Sequence, residues 1–452
     1  MTASAIALSV IIILILLFLG MNVYAAFLCG SIAFCVIGGD WMGTIGATVV
    51  YAIHNTSLLA IPLFMLSGGL LEITGLADKL IDLAHVLLKK IKNGMGATIP
   101  LASMFFGALC GSGTATCSVM GNLMIPKLER MGWDRRYTAA LVAASGPLGY
   151  MIPPNMNAII FGVIANSSIS ALFLASVVPG IIWGVGYMIV NFFIAERYIM
   201  SPEQTALAVS KYQDGQEIKE TLVETGSRVK DILITLRNAI PALMLPVIIM
   251  GGIYGGICTP TEAGAVACVY CLILGFATRR VGGKMAVSEF IRTGMSLGGF
   301  FIIFPMVNLF ARFMVLENVP QAMVAFFTTV SSNKYVILLL IDILLFIAGM
   351  FFDAAIFTLV LTPLLLPTAS MLGIDTVHLG VIMFVAMGVG TITPPMAMNL
   401  FVVARVGKVS VGEMIKPLLP FLLFVAVPLL LVVTYFPELS LWLPRIALGY
   451  GA

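Results

Sequence analysis

Apolar runs long enough to cross about 30 Å of hydrocarbon recur from one end of the chain to the other. They predict ten membrane spans, near 4–20, 22–38, 43–72, 137–164, 171–195, 238–257, 261–278, 293–316, 379–404 and 416–436. Two further segments, 94–126 and 335–367, are longer and interrupted. The stretch 197–237 is the one long polar loop, with six basic and six acidic residues, and is expected to form an amphipathic cytoplasmic connector or a solvated one. Residues 76–93 place Leu80, Leu83, Leu87 and Ile91 on one helical face with lysines opposite, as in a helix lying on the cytoplasmic surface; a solvated connector is the alternative.

The basic residues orient these segments. Lys79, Lys89, Lys90 and Lys92 precede segment 94–126, and Lys127, Arg130, Arg135 and Arg136 follow it. Both flanks are therefore assigned to the cytoplasm. A single crossing cannot begin and end on one side, so the segment is predicted to be a re-entrant hairpin turning at Gly111-Ser112-Gly113-Thr114. With both termini outside, every basic residue except Arg312, Lys334 and Arg445 falls on the cytoplasmic side.

The chain repeats with an offset of 241 residues. Pro126, Gly132, Asp134, Gly149, Pro153 and Pro154 recur as Pro367, Gly373, Asp375, Gly390, Pro394 and Pro395. Both Pro-Pro dipeptides of the chain obey it, and the first hairpin tip maps onto Asp353-Ala354. Residues 1–196 and 238–452 thus form two halves. Each has five crossings and one hairpin, so the second half is inverted relative to the first. The predicted fold is an all-α integral membrane protein: an inverted-repeat secondary transporter with re-entrant hairpins 94–126 and 335–367 and broken helices 137–164 and 379–404.

Composition agrees. Hydrophobic residues make up 60% of the 452 and charged residues 10%, with a mean hydropathy of +1.08. Too little charge remains to cover a soluble body of this length. The seven Cys are scattered through apolar runs, Cys268-x-x-Cys271 has no companion pair, and all are read as membrane-helix residues. The first run, Ala3–Gly20, lacks a basic leader and a cleavage site, and is read as a retained membrane segment.

The breaks are the candidate chemistry. Pro-Pro within an apolar run frees backbone carbonyls, which lipid tolerates only where the break is buried in protein or lines a polar cavity. Freed carbonyls around Gly149–Asn155 and Gly390–Met396, with hydroxyls from a hairpin tip, would form an all-oxygen cage suited to Na⁺. Half-helix N-termini nearby would favour an anionic group. Two proline kinks holding no ligand are the bland alternative, made less economical by their matched positions. Asp353 and Glu262 are carboxylates at depth that would serve either function or helix capping. Asp342, near the outer end of its segment, is expected to be solvated. His54, His85 and His378 form no relay pattern. Asn157 and Asn399 follow the breaks and would face the cavity.

These residues resemble the large membrane subunit of TRAP (tripartite ATP-independent periplasmic) transporters. The resemblance rests on Ile61-Pro62-Leu63-Phe64, Gly107-Ala108-Leu109-Cys110-Gly111-Ser112-Gly113, Ile152-Pro153-Pro154, Thr259-Pro260-Thr261-Glu262-Ala263 and Thr393-Pro394-Pro395, in the family's order over nearly the whole chain. It implies a multi-pass protein of the bacterial inner membrane that works with a small four-helix membrane subunit and a periplasmic substrate-binding protein. It further implies import of an organic acid (a carboxylate) by an elevator motion coupled to sodium, with no cofactor beyond Na⁺ as the coupling ion. Carried over, the cation-binding residues are Ser112, Gly113, Gly149, Ile152 and Asn155 in one cage and Gly349, Gly390, Thr393 and Met396 in the other. Asn157, Thr261, Asp353 and Asn399 are the substrate-binding candidates. The chain departs from the family pattern in Cys110, where Ser is common, in Asn155 and Asn157 after the first Pro-Pro, and in Ala397 after the second.

Other classes fit less well. An enzyme would need a Ser/Lys, His/Asp or metal-ligand cluster at depth, and none is visible, so no enzymatic activity is expected. Channels commonly repeat in parallel around a pore, whereas this repeat is inverted. The nearest alternative is a stand-alone sodium- or proton-coupled dicarboxylate carrier of related fold, which would need neither the small subunit nor the binding protein.

Overall fold

A computed structural model describes residues 2–38, 42–201, 205 and 228–451. Most of the connector expected over 197–237 lies outside the described residues. The described residues are almost entirely helical. Among the described residues, eight helices are long and apolar enough to cross a membrane. Among the shorter apolar helices, Gly94–Cys110, Thr376–Thr391 and Met398–Gly407 arise where the predicted segments are broken or folded back.

The first half runs α1 (Thr2–Phe18), α2 (Val23–Gly38), α3 (Ile45–Ile53), α4 (Ala60–Ile73) and α5 (Leu76–Leu88). The hairpin α6 (Gly94–Cys110) and α7 (Gly113–Arg130) follows. Next come the broken helix α8 (Arg135–Ser145), α9 (Leu148–Met151) and α10 (Met156–Ile164), and then α11 (Ile169–Ile194). The second half opens with α12 (Arg228–Tyr254), α13 (Pro260–Ala277), α14 (Gly283–Leu316) and α15 (Val319–Val330). It continues with the hairpin α16 (Lys334–Phe351) and α17 (Ala354–Met371), then the broken pair α18 (Thr376–Thr391) and α19 (Met398–Gly407). α20 (Val411–Phe421) and α21 (Val427–Tyr435) are joined by a π-helical turn, and α22 (Glu438–Leu448) closes the fold.

The sequence repeat becomes a structural one. Adding 241 to Gly113–Arg130 gives 354–371, the bounds of α17; α11 maps onto α20–α21 and α5 onto α15 in the same way. The packing then crosses between halves. α7 packs on α19, and its counterpart α17 packs on α10, so each hairpin is held by the broken helix of the other half. Outside this crossed unit, α13 packs on α4, and α14 packs on α2, α3 and α4.

Several expectations change. The span over 43–72 is two helices, because Asn55 adopts an extended backbone and its side chain accepts from Ser57 N (2.9 Å), capping a short 3-10 turn before α4. The counterpart in the second half, α14, is continuous over 34 residues and starts ten residues before its predicted span. Asp342 is not solvated: it is 3% exposed on the inner face of α16. The amphipathic pattern at 76–93 does form a helix, but Leu80 and Leu83 are buried against the protein, where α5 packs on α6 and α12, and Ile91 falls beyond its end and is exposed. Two helices, α15 and α22, have no counterpart among the predicted elements.

Many buried polar residues are Ser and Thr within helices whose hydroxyls donate to a carbonyl one turn back, as Ser145 does to Leu141 O (2.8 Å) and Thr362 to Thr358 O (2.6 Å). Thr259 and Glu262 form a reciprocal capping box at α13, Thr259 N donating to Glu262 Oε2 at 2.7 Å. Glu262 is thereby spent on a cap. At the end of the first hairpin, buried Glu129 pairs with buried Arg135, whose Nε donates to Gly407 O at 2.7 Å. This fastens the base of α7–α8 to the end of α19.

The hairpin reading makes a direct prediction. Lys89 before α6 and Arg136 after α7 are both exposed. Single cysteines at these positions, in a background lacking the native cysteines, are expected to react with an impermeant maleimide from the cytoplasmic side only. Labelling of either from the outer side contradicts re-entrance.

Candidate functional site

The two breaks and two hairpin tips converge on one cavity. Its volume is about 180 Å³, and its lining includes Ser112, Tyr150, Asn157, Asp353, Thr391 and Asn399. Each tip is a helix start. Ser112 has extended backbone and its side chain caps α7; Asp353 likewise caps α17, with Ala355 N donating to Oδ2 at 3.2 Å. The first amides of both helices therefore face the cavity, a region of positive potential. Asp353 places a carboxyl at one of them, while Ser112 leaves the other without one.

Both breaks have extended or unwound backbone around a cis Pro-Pro bond, Pro153-Pro154 and Pro394-Pro395. In the first, Ile152 is extended and Asn155 caps α10, its Oδ1 accepting from Ala158 N at 2.7 Å. That oxygen caps the helix and keeps a second lone pair, so Asn155 can offer a cation its Oδ1 or its backbone carbonyl. Its buried Nδ2 has no partner. In the second, Thr393 N donates to Gly390 O (2.9 Å) and the Thr393 hydroxyl donates to Val389 O (2.7 Å). The hydroxyl oxygen keeps its lone pairs for a further ligand.

Close backbone approach explains the glycines here. A Cβ on Gly390 would lie 2.3 Å from the carbonyl carbon of Gly349. A Cβ on Gly149 would lie 2.3 Å from Thr116 Oγ1 and 2.7 Å from Ser112 O. Any side chain at these positions pushes hairpin and broken helix apart. Gly349 thus abuts Gly390, whose carbonyl accepts from Thr393 N, and Ser112 O lies against Gly149. Gly113 lines the shared cavity, and Met396 is largely exposed beside the second break.

Of the substrate candidates, Asn157, Asp353 and Asn399 line the cavity. Asn157 is 2% exposed and its Oδ1 has no partner, so it presents an acceptor. Thr261 stands apart, in the first turn of α13, where its hydroxyl donates to Thr56 O at 3.2 Å. Its motif serves the cap of a packed helix rather than the cavity.

Three participants were missed. Tyr150 and Thr391 are buried and hydrogen-bonded, hydroxyl to hydroxyl, at 3.1 Å, and Asn399 Nδ2 donates to Thr391 Oγ1 at 3.3 Å. Tyr150 and Thr391 are themselves 241 residues apart, so this bond joins positions equivalent under the sequence repeat. The offset could have singled out the pair. The third is Thr116, whose hydroxyl donates to Ser112 O (2.8 Å) beside Gly149. Its spacing, one helical turn after Ser112, was the available signal. Among the described residues no three His, Cys, Asp or Glu are grouped to hold a metal; the oxygens gathered at the breaks are carbonyls, hydroxyls and amides.

Comparison with known proteins agrees with this architecture. Residues 5–439 match the family described as "Tripartite ATP-independent periplasmic transporter, DctM component". The chain is 34% identical over 422 residues to the C4-dicarboxylate TRAP transporter large permease protein DctM of Pseudomonas aeruginosa, covering 92% of this chain and 93% of that one. It is 32% identical to the sialic acid TRAP transporter large permease protein SiaM of Vibrio cholerae, covering 96% and 97%. Among solved structures it resembles the YdaH transporter of Alcanivorax borkumensis, with a TM-score of 0.56, 16% identity, and coverage of 90% and 88%. It also resembles MtrF of Neisseria gonorrhoeae, with a TM-score of 0.60, 16% identity, and coverage of 87% and 83%. At such identity these two speak to fold alone.

The inter-repeat bond is testable. Tyr150→Phe and Thr391→Val are each expected to lower thermal stability. A double-mutant cycle should give a coupling of about 0.5–1.5 kcal/mol, the range of a buried hydrogen bond. Additive effects would mean that the two hydroxyls do not interact.

Proposed function

The chain belongs to the DctM component family of tripartite ATP-independent periplasmic transporters, and from that membership we propose that it carries an organic acid inward in symport with sodium. It is a multi-pass inner-membrane permease. On this reading a periplasmic binding protein delivers the substrate, and a small membrane subunit braces the helices outside the crossed unit. The crossed unit of hairpins and broken helices moves as one body, in an elevator motion. The relatives named for C4-dicarboxylates and sialic acid make a carboxylate the favoured cargo class.

The observation that carries this reading is the pair of backbone-built oxygen clusters, each where a hairpin meets a broken helix through abutting backbone. A monovalent hard cation suits such sites: carbonyls and hydroxyls replace its hydration shell without adding net charge. Na⁺ bound between Gly349, Gly390, Thr393 and Met396 would hold hairpin α16–α17 against the second break. Na⁺ bound by Ser112, Gly113, Gly149, Ile152 and Asn155 would do the same for the first. Thr116 joins this set as a candidate ligand. With both hairpins in place, the free amides at the start of α7 and the amides of Asn157 and Asn399 offer the carboxylate its partners. Substrate binding would then depend on sodium through the hairpin tips, without direct contact between the two.

Two measurements test this. In proteoliposomes with the small subunit and loaded binding protein, uptake is expected to vanish without Na⁺ and to rise more than linearly with its concentration. Equal uptake in potassium-only buffer rejects sodium coupling and favours the proton-coupled alternative. Thr393→Val removes one ligand oxygen and leaves the cage otherwise intact, at a cost of about 1–3 kcal/mol, the worth of a hydrogen bond to a charged group. The half-saturating sodium concentration should rise roughly ten- to a hundred-fold, with expression unchanged and Thr393→Ser mild. Unchanged sodium dependence would reduce Thr393 to the cap of a kinked helix, through its bond to Val389.

A further inference from the structure

Asp342 lies half-way along α16, away from the central cavity and from both proposed cation cages. It is 3% exposed. One carboxylate oxygen, Oδ1, accepts from the Thr434 hydroxyl of α21 at 3.0 Å; the other, Oδ2, is buried without a partner. An ionised carboxylate taken out of water needs a counter-charge or several donors. Asp342 has one neutral donor.

The surroundings supply no counter-charge. α16 packs on α15, α17, α18 and α21. Neither α15 nor α17 carries a titratable residue along its length, and Asp353 at the start of α17 is engaged as its cap. On α16 itself Lys334 lies two turns away and is exposed, and Tyr335 uses its carbonyl to accept from the Tyr435 hydroxyl of α21 at 3.1 Å. On α18 the buried His378 is held by Ser440 Oγ at 3.3 Å, and Asp375 caps that helix and accepts from the Tyr450 hydroxyl. Glu438 and Arg445 of α22 pair with each other. None of the basic groups forms an ion pair with Asp342.

From this geometry we infer that Asp342 is a proton-binding site: the carboxyl is carried as the neutral acid, its Oδ2 bearing the proton, while Oδ1 accepts from Thr434. The site has a route to the transport machinery. Gly349, which abuts Gly390, lies seven residues on and therefore on the same face of α16. The buried Ile341 and Leu345 share that region of the helix. Loss of the proton would place an unpaired charge in the contact that presses α16 on α18 and α21, and so loosen the seat of Gly349. Sodium affinity at the second cage should then weaken at alkaline pH. This functional consequence rests on the sodium reading above; the protonation state does not.

The test has separate arms for each. Difference infrared spectra of the intact transporter complex at neutral pH should show the carbonyl stretch of a protonated carboxylic acid that disappears in Asp342→Asn. Thermal midpoints should fall by a few degrees more in the wild type than in Asp342→Asn as pH is raised from neutral to strongly alkaline, because Asn mimics the neutral acid. The sodium concentration for half-maximal uptake should rise several-fold over the same range in the wild type and stay nearly constant in the variant. Absence of the Asp342 band at neutral pH overturns the proton site. So does a loss of bound ²²Na⁺ in Asp342→Asn, which would mean that a metal cation neutralises the carboxylate. If the infrared and thermal arms hold while uptake ignores sodium altogether, the sodium reading fails and the proton site stands.

Discussion

A helix interrupted away from water must find partners for the backbone groups it frees, and in this protein that requirement organises everything near the centre. Two interruptions, at Ile152–Asn155 and Ile392–Ala397, leave carbonyls that their own helices do not use. Side chains at the interruptions satisfy part of the need: Asn155 caps α10 and Thr393 bonds back to Val389. The remainder faces the hairpin tips, and the hairpins can approach only because Gly149, Gly349 and Gly390 carry no side chain. The same arrangement that makes a break tolerable gathers the oxygens that, in the proposed function, would coordinate a cation.

The crossed packing follows from the repeat. Each hairpin packs on its own half's broken helix, as α16 does on α18, and also on the other half's, α7 on α19 and α17 on α10. Tyr150 and Thr391 link the two halves, and the buried Glu129–Arg135 pair with its bond to Gly407 fastens one end of the crossing. A body knit in this way is suited to move as a unit. The contact of α14 with α17 marks where such a unit would slide against the surrounding helices.

Much of this was legible in the chain. The offset of 241 residues located both hairpins and both breaks, because Pro and Gly mark positions where the backbone must depart from a helix. Basic residues and turn chemistry then suggested the fold-back at Gly111–Ser112. What escaped detection depends on tertiary neighbours. Asn55 breaks a span that hydropathy reads as continuous, since a single extended residue barely alters an apolar run. Asp342 looked solvated because its position along the segment says nothing about which face of α16 it occupies. Thr261 looked like a site residue because its motif is distinctive, but the motif is built to start α13. Tyr150, Thr391 and Thr116 are ordinary residues in apolar helices, and only the folded crossing shows that their hydroxyls meet the breaks.

In the proposed elevator motion the crossed hairpins and broken helices would move as one rigid unit against α13 and α14. Two spin-label distances test it most directly in the assembled transporter. One pair spans Asn122 on α7 and Arg405 on α19, both exposed and both within the unit. The other spans Asn122 and Ile273 on the exposed face of α13. Changing sodium and loaded binding protein is expected to shift the second distance distribution and leave the first unchanged. A shift of the Asn122–Arg405 distance with the Asn122–Ile273 distance fixed would contradict the account.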